Sequence, residues 1–184
     1  IAEARRIGFP VLIKAVRGGG GIGMVRADDE IALARNLDRA AEMAARAFGD
    51  SELFLERFMD RPRHVEFQVL GDAAGDVRHL YERDCSIQRR HQKVIEEAPA
   101  PGLDRAFLDG AAARMSGALA KLGYDNIGTV EMLHDAEGDL RFLEMNTRLQ
   151  VEHAVTEAVS GIDLVRAQIL SAAGARVAEI LPDP

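Results

Sequence analysis

Residues 128–152 read GTVEMLHDAEGDLRFLEMNTRLQVE. Two strand-forming runs, 128–134 and 140–146, flank Asp135-Ala-Glu-Gly-Asp139, and Gly138 suits a tight turn, so the stretch predicts a β-hairpin. With 135–140 as the loop, His134 pairs with Arg141 and Glu131 falls opposite Glu144. Opposed carboxylates destabilise a sheet. A divalent cation is the simplest compensation, with Asn146 one pleat further on as a third oxygen ligand, and such a hard oxygen set suits Mg²⁺. Alternate side chains of an extended chain share a face, so Leu140, Phe142, Glu144, Asn146, Arg148, Gln150 and Glu152 are expected on one side, apolar at its start and polar at its end. A solvated edge is the other reading, but Leu143, Met145 and Val151 suggest that both faces are covered.

Upstream, 53–58 (LFLERF), 63–71 (RHVEFQVLG) and 77–82 read as strands, and 83–102 has no clean period and reads as a long ordered loop. A helix is expected over 104–122, with Phe107, Ala111, Met115, Ala118 and Leu122 on its apolar side and Gly123 as its stop. Near the start, 10–16 (PVLIKAV) is a strand that enters the glycine cluster 18–23 (GGGGIG). A helix capped by Asp28 or Asp29 follows, with Ile31, Ala34, Leu37, Ala41, Ala44 and Phe48 as its stripe and Gly49 as its end. Helical text occupies about 153–174. The expected architecture is α+β, a small lobe over 1–60 packed on a larger antiparallel-sheet lobe with helices over 61–184. The opening residues Ile1 to Ile7 before Gly8 read as the last turns of a helix, so the chain is expected to be a fragment.

Composition excludes several function classes. At 184 residues and 47% hydrophobic, the chain can bury a sizeable core, and its formal net charge of -7 argues against a nucleic-acid binder held by a basic face. No apolar run approaches the roughly 20 residues of a membrane span. The single cysteine, Cys85, permits no internal disulfide and is expected to be a small buried residue, which suits a reducing, cytoplasmic setting.

The glycine cluster satisfies G-x-G-x-x-G between a strand and a helix, but no acidic residue follows at the dinucleotide spacing and no G-K-[ST] marks a P-loop. A flap whose backbone N–H groups close over phosphates fits better, with Lys14 on the preceding strand as a point charge. On 63–70, His64, Glu66 and Gln68 share the polar face, and Gln88-Arg-Arg-His-Gln-Lys93 gathers potential anion-binding groups.

The strings RHVEFQV (63–69), ERDCSIQRRHQKVIEEAPAPG (82–102) and EMNTRLQVEHAVTE (144–157) resemble the biotin carboxylase family of ATP-grasp ligases, found in acetyl-, propionyl- and methylcrotonyl-CoA carboxylases and pyruvate carboxylase. The resemblance covers nearly the whole chain. It implies an ATP-grasp fold and the ATP- and bicarbonate-dependent carboxylation of biotin on a carrier domain, with Mg²⁺ or Mn²⁺. Carried over by motif, Lys14, Gly20, Gly21, Glu56, Arg57, Phe58, Met59, His64, Gln88 and His91 would hold ATP, and Glu131, Glu144 and Asn146 the metal. Lys93, Arg148, Gln150 and the backbone of Val151 would hold bicarbonate, Glu152 would be its base, and Arg148 would also steady the biotin enolate. The implied partners are a biotin carboxyl carrier domain, a carboxyltransferase and a second copy of the parent in a homodimer. The chain departs from the family at Ile22, where Arg or Lys is usual in the flap, and at Arg57, where Lys is common. It also lacks the family's N-terminal domain, the arginine-bearing region that contacts biotin and an A-M-K-M carrier sequence. Competing readings are another ATP-grasp ligase of the carbamoyl-phosphate synthetase type, against which QRRHQKV and EEAPAP argue, and a non-catalytic nucleotide-binding module.

Overall fold

Alternation in VLIKA sets the first strand, β1 (Val11–Ala15), with Val11, Ile13 and Ala15 inward and Leu12 and Lys14 half-buried. In this computed structural model, which describes residues 1–18 and 23–181, β1 is the centre of a three-stranded antiparallel sheet. Its neighbours are β2 (Val25–Ala27) and β3 (Leu53–Arg57). Two helices, α1 (Ala2–Ile7) and α2 (Glu30–Phe48), share a core with that sheet through Ala4, Leu33 and Ala40 against Val11, Ile13 and Ala27. The side chain of Asp29 caps α2 by accepting from the Ala32 N–H, and Gly49 ends it at φ 73°. The expected stripe holds at Leu37 and Ala44 and is corrected elsewhere. The buried side chains are Leu33, Ala40 and Ala44, and Ile31 is 80% exposed. Leu33, Ala40 and Ala44 are spaced by seven and four, which is also helical, and periodicity alone does not choose between adjacent phases.

The second sheet has five strands in the order β6-β5-β4-β7-β8. They are β4 (Arg63–Gly71), β5 (Val77–Arg89), β6 (Gln92–Glu97), β7 (Asn126–His134) and β8 (Leu140–Asn146). The long loop expected over 83–102 is overturned, since β5 runs on to Arg89, turns at Arg90 and His91, and returns as β6. The run ERDCS lacks a hydrophobic period because its charged residues are themselves buried.

Helix α3 (Arg105–Lys121) covers one face, where Leu108, Ala111 and Ala112 meet Val65 and Phe67, while Leu119 meets Val69 and Val130. Its expected stripe holds at Phe107, Ala111 and Met115 and fails at the end, where Ala118 is exposed and Leu122 is 81% exposed. The helical text after Gln150 is interrupted at Gly161, giving α4 (His153–Ser160) and α5 (Leu164–Ala172), with a further turn α6 (Val177–Ile180). Helices α5 and α6 cover Leu70, Leu80 and Ile127 through Leu164, Ala167 and Val177.

The chain divides into two units, Ile1–Asp60 with Arg89–Gln92, and Arg61–Gln88 with Lys93 onward. The expected site residues Gly20 and Gly21, and the departure at Ile22, lie outside the described residues.

Candidate active site

The central strands set the site. Strand β4 pairs Glu66 with Arg83 of β5 on one side and with Glu131 of β7 on the other, so three charged residues line up across the sheet. Strand β8 then places Glu144 opposite Glu131 and Asn146 opposite Thr129. The expected Glu131–Glu144 opposition is therefore present, but by another route. His134 pairs with Leu140, not Arg141, and an irregularity that leaves Leu143 unpaired restores the register before Glu144. Because such a bulge reverses the alternation, Phe142, opposite Met132, and Glu144, opposite Glu131, fall on different faces, and the single apolar-to-polar side is corrected accordingly. Strand pairing also ends at Asn146, so Arg148, Gln150, Val151 and Glu152 follow in a bend and turn that lead into α4.

Lys93, from β6, reaches the middle of this face. Its ammonium group donates to Glu131 Oε1 at 2.8 Å, to Glu152 Oε1 at 2.5 Å and to Glu66 Oε2. Glu131 Oε1 also accepts from Asn146 Nδ2 at 3.0 Å and from Gln150 Nε2 at 2.9 Å. Its Oε2 lies 2.9 Å from His64 Nε2. Gln88 Nε2 meets His64 Nδ1 at 2.9 Å, and Arg148 donates to Asn146 Oδ1 at 3.2 Å.

Burial alone would raise the pKa of Glu131, but His64 and Lys93 outweigh it and bring the carboxyl down to about 2. Glu152 is held down in the same way, by Lys93 against burial. Burial pulls the Lys93 pKa down, yet the surrounding carboxylates, Glu66 first, push it above the ordinary lysine range. The fully buried Cys85 thiol is pushed up by burial and by Glu66, which leaves it a poor nucleophile.

Lys93, His64, Gln88, Glu131, Asn146, Arg148, Gln150 and Glu152 are thus joined in one network. Glu144 faces Glu131 across the ladder and is exposed, while the Val151 side chain is 92% exposed. Glu131, Glu144 and Asn146 stand at neighbouring ladder positions, but Glu131 Oε1 is taken by Lys93, Asn146 and Gln150, and Asn146 Oδ1 by Arg148, so a divalent ion there would have to displace these contacts. In the first unit, Lys14 pairs with Glu56 at 3.0 Å. The Arg57 guanidinium donates to the Ile7 carbonyl at 2.7 Å, and the Phe58 N–H to that of Pro10 at 3.0 Å. Met59 is half-buried, and His91 sits exposed at φ 62°.

Sequence reasoning missed Arg83 and Thr156 and read Glu66 and Gln68 only as a polar face. The available signal was Glu82-Arg-Asp84 beside Cys85, because charges inside a central strand demand buried partners.

A family model described as carbamoyl-phosphate synthase L chain, ATP binding domain, matches residues 1–180. The chain belongs to this family. Within it, the chain is 54% identical over 175 residues to a biotin carboxylase of Halalkalibacterium halodurans, covering 93% of this chain and 38% of that protein. It is 50% identical over 171 residues to a pyruvate carboxylase of Caenorhabditis elegans, covering 93% of this chain and 15% of that protein. Among solved structures, it resembles the biotin carboxylase domain dimer of Hydrogenobacter thermophilus 2-oxoglutarate carboxylase in complex with MgADP, ADP and bicarbonate. That match has a TM-score of 0.92 at 47% identity, over 96% of this chain and 39% of that one. The chain therefore spans under two fifths of the length of these relatives. The fold is ATP-grasp, and the resemblance to biotin carboxylases is borne out.

Proposed function

We propose that the parent protein is a biotin carboxylase, and that this chain is its central ATP-grasp part. ATP would drive carboxylation of biotin on a carrier domain, and a carboxyltransferase would pass the carboxyl group on. One observation carries the reading: a lysine ammonium held by three carboxylates, beside the Gln150 amide and within the network of Arg148. Bicarbonate needs cations, an amide donor and a base around it, and Lys93, Arg148, Gln150 and Glu152 offer these together.

In this reading, a bicarbonate oxygen attacks the γ-phosphorus of ATP, Glu152 takes the bicarbonate proton, and ADP leaves. Carboxyphosphate then releases its carboxyl group to the ureido nitrogen of biotin, and its phosphate takes the ureido proton. Arg148 steadies the developing enolate oxygen. Glu131, Glu144 and Asn146 would hold Mg²⁺ or Mn²⁺, which when bound neutralises charge on the β- and γ-phosphates. Lys14, Glu56 to Met59, His64, Gln88, His91 and the glycines at 20 and 21 would contact the nucleotide. The lowered pKa of Glu152 keeps it a carboxylate at neutral pH and also weakens it as a base, so positioning and charge stabilisation carry much of the rate.

The test is ADP release by the full-length parent with Mg²⁺, biotin and bicarbonate. The wild type is expected to require both biotin and bicarbonate. Glu152→Gln keeps the size and removes the base, so kcat should fall at least about 10²-fold with little change in ATP KM. ADP release that ignores biotin and bicarbonate overturns the function, and a kcat within about threefold of wild type removes Glu152 as the base.

A further inference from the structure

Arg83 is wholly buried and is the largest side chain to be so among the described residues. Its guanidinium donates through Nε to Glu66 Oε1 at 2.7 Å and through Nη1 to Gln68 Oε1 at 2.8 Å and Thr156 Oγ1 at 2.6 Å. Through Nη2 it reaches Gln150 Oε1 at 3.2 Å. A buried charge of this kind is seldom the most stable filling of a core, since apolar side chains of similar volume often match or exceed it. What a planar fork of donors supplies is direction.

That direction acts on three groups named for bicarbonate. Arginine only donates, so Gln150 must turn its oxygen to Arg83 and its Nε2 to Glu131, where it lies at 2.9 Å. Glu66 is divided likewise, Oε1 to Arg83 and Oε2 to Lys93, so the orientation of its carboxylate sets where the ammonium can sit. Thr156 lies one turn into α4, whose N-cap residue is Glu152 and has no side-chain cap bond of its own, so the Thr156 hydroxyl ties that end of the helix to the sheet.

We propose that Arg83 is a positioning residue which, through Glu66, Gln150 and Thr156, holds Lys93, the Gln150 amide and Glu152 in the arrangement that receives bicarbonate. The inference rests on the biotin carboxylase reading. Arg83 touches no reacting atom itself. Loss of a side chain that orients binding groups in this way typically costs about 10- to 100-fold in affinity or activity.

Steady-state kinetics of the full-length parent, with bicarbonate and ATP varied separately, tests it. Arg83→Lys keeps the charge but not the fork, and is expected to raise the bicarbonate KM about tenfold or more while the ATP KM stays within about twofold. A residue that only stabilised the fold would lower the yield or the melting temperature and leave both KM values unmoved. Arg83 and Gln150 should also be non-additive, so that Arg83→Lys adds much less to Gln150→Ala than it does to the wild type. If Arg83→Lys does not fold, Thr156→Val keeps the guanidinium and removes one acceptor, and its bicarbonate KM should rise about threefold. A bicarbonate KM unchanged in every folded variant overturns the positioning role. A wild-type parent with no bicarbonate-dependent ADP release overturns the functional reading, and this inference with it.

Discussion

Glu131 shows how one residue can be ionised because of its neighbours despite burial. A carboxyl whose folded pKa lies below its unfolded value contributes stability above the unfolded value and loses it as the pH falls through the folded one. For Glu131 that window runs from the ordinary 4.5 down to about 2. Glu131→Gln in the full-length protein should therefore be destabilised relative to wild type at pH 7 and nearly equal to it near pH 2, by thermal unfolding across that range. An equal deficit at both ends would mean that the loss is one of packing and not of charge. Lys93 has the opposite sign: its pKa is raised, so its contribution is full at neutral pH and is lost only in strong alkali. The candidate residues were legible in the sequence because NTRLQVE and RRHQK are polar runs that no buried stripe explains. Arg83 was not, because an arginine in isolation reads as a surface residue.

At the scale of elements, the β7–β8 hairpin carries the lesson. Two errors in its expected register, the loop length and the regular alternation, cancelled at Leu143, so the facing carboxylates came out right for an incomplete reason. A bulge has no strong mark in sequence, since it is set by what both faces of the sheet must bury. Tight contacts elsewhere in the sheet are equally specific. At Gly71, the last residue of β4, a Cβ would run into the backbone carbonyl of Tyr124, which cannot swing aside as a side chain would. Gly71→Ala is thus expected to cost about 1–3 kcal/mol, the usual range for overpacking, read as a lower melting temperature of the full-length protein. An unchanged melting temperature would show that the 124 segment yields freely. An Asp cap at 28 or 29, by contrast, was readable in advance, because an Asx residue before an apolar period satisfies helix N–H groups wherever it occurs, and the structure selects Asp29.

For the whole molecule, the match over 93% of the chain covers 38% of the length of a biotin carboxylase, so the chain taken alone is expected to release no ADP in a biotin-dependent manner above a protein-free blank. Turnover by the isolated chain would mean that the catalytic machinery is complete within it. The composition argues against a nucleic-acid face, and among the described residues no helix is long and apolar enough to cross a membrane. By itself the sequence determined the local events: an Asp cap for α2, the bounds of β4 and β8, those of α3 to within a residue, and the inner end of β7, which begins two residues before the expected 128. Those follow from short-range chemistry, in which each residue and its neighbours along the chain suffice. Only the tertiary structure decided that 83–97 is paired strand and that Arg83 and Glu66 lie under the site. It also decided that Lys93 is shared by Glu66, Glu131 and Glu152. Those residues are brought together from separate strands and a helix end, and buried charges are tolerated only where the assembled sheet supplies their partners.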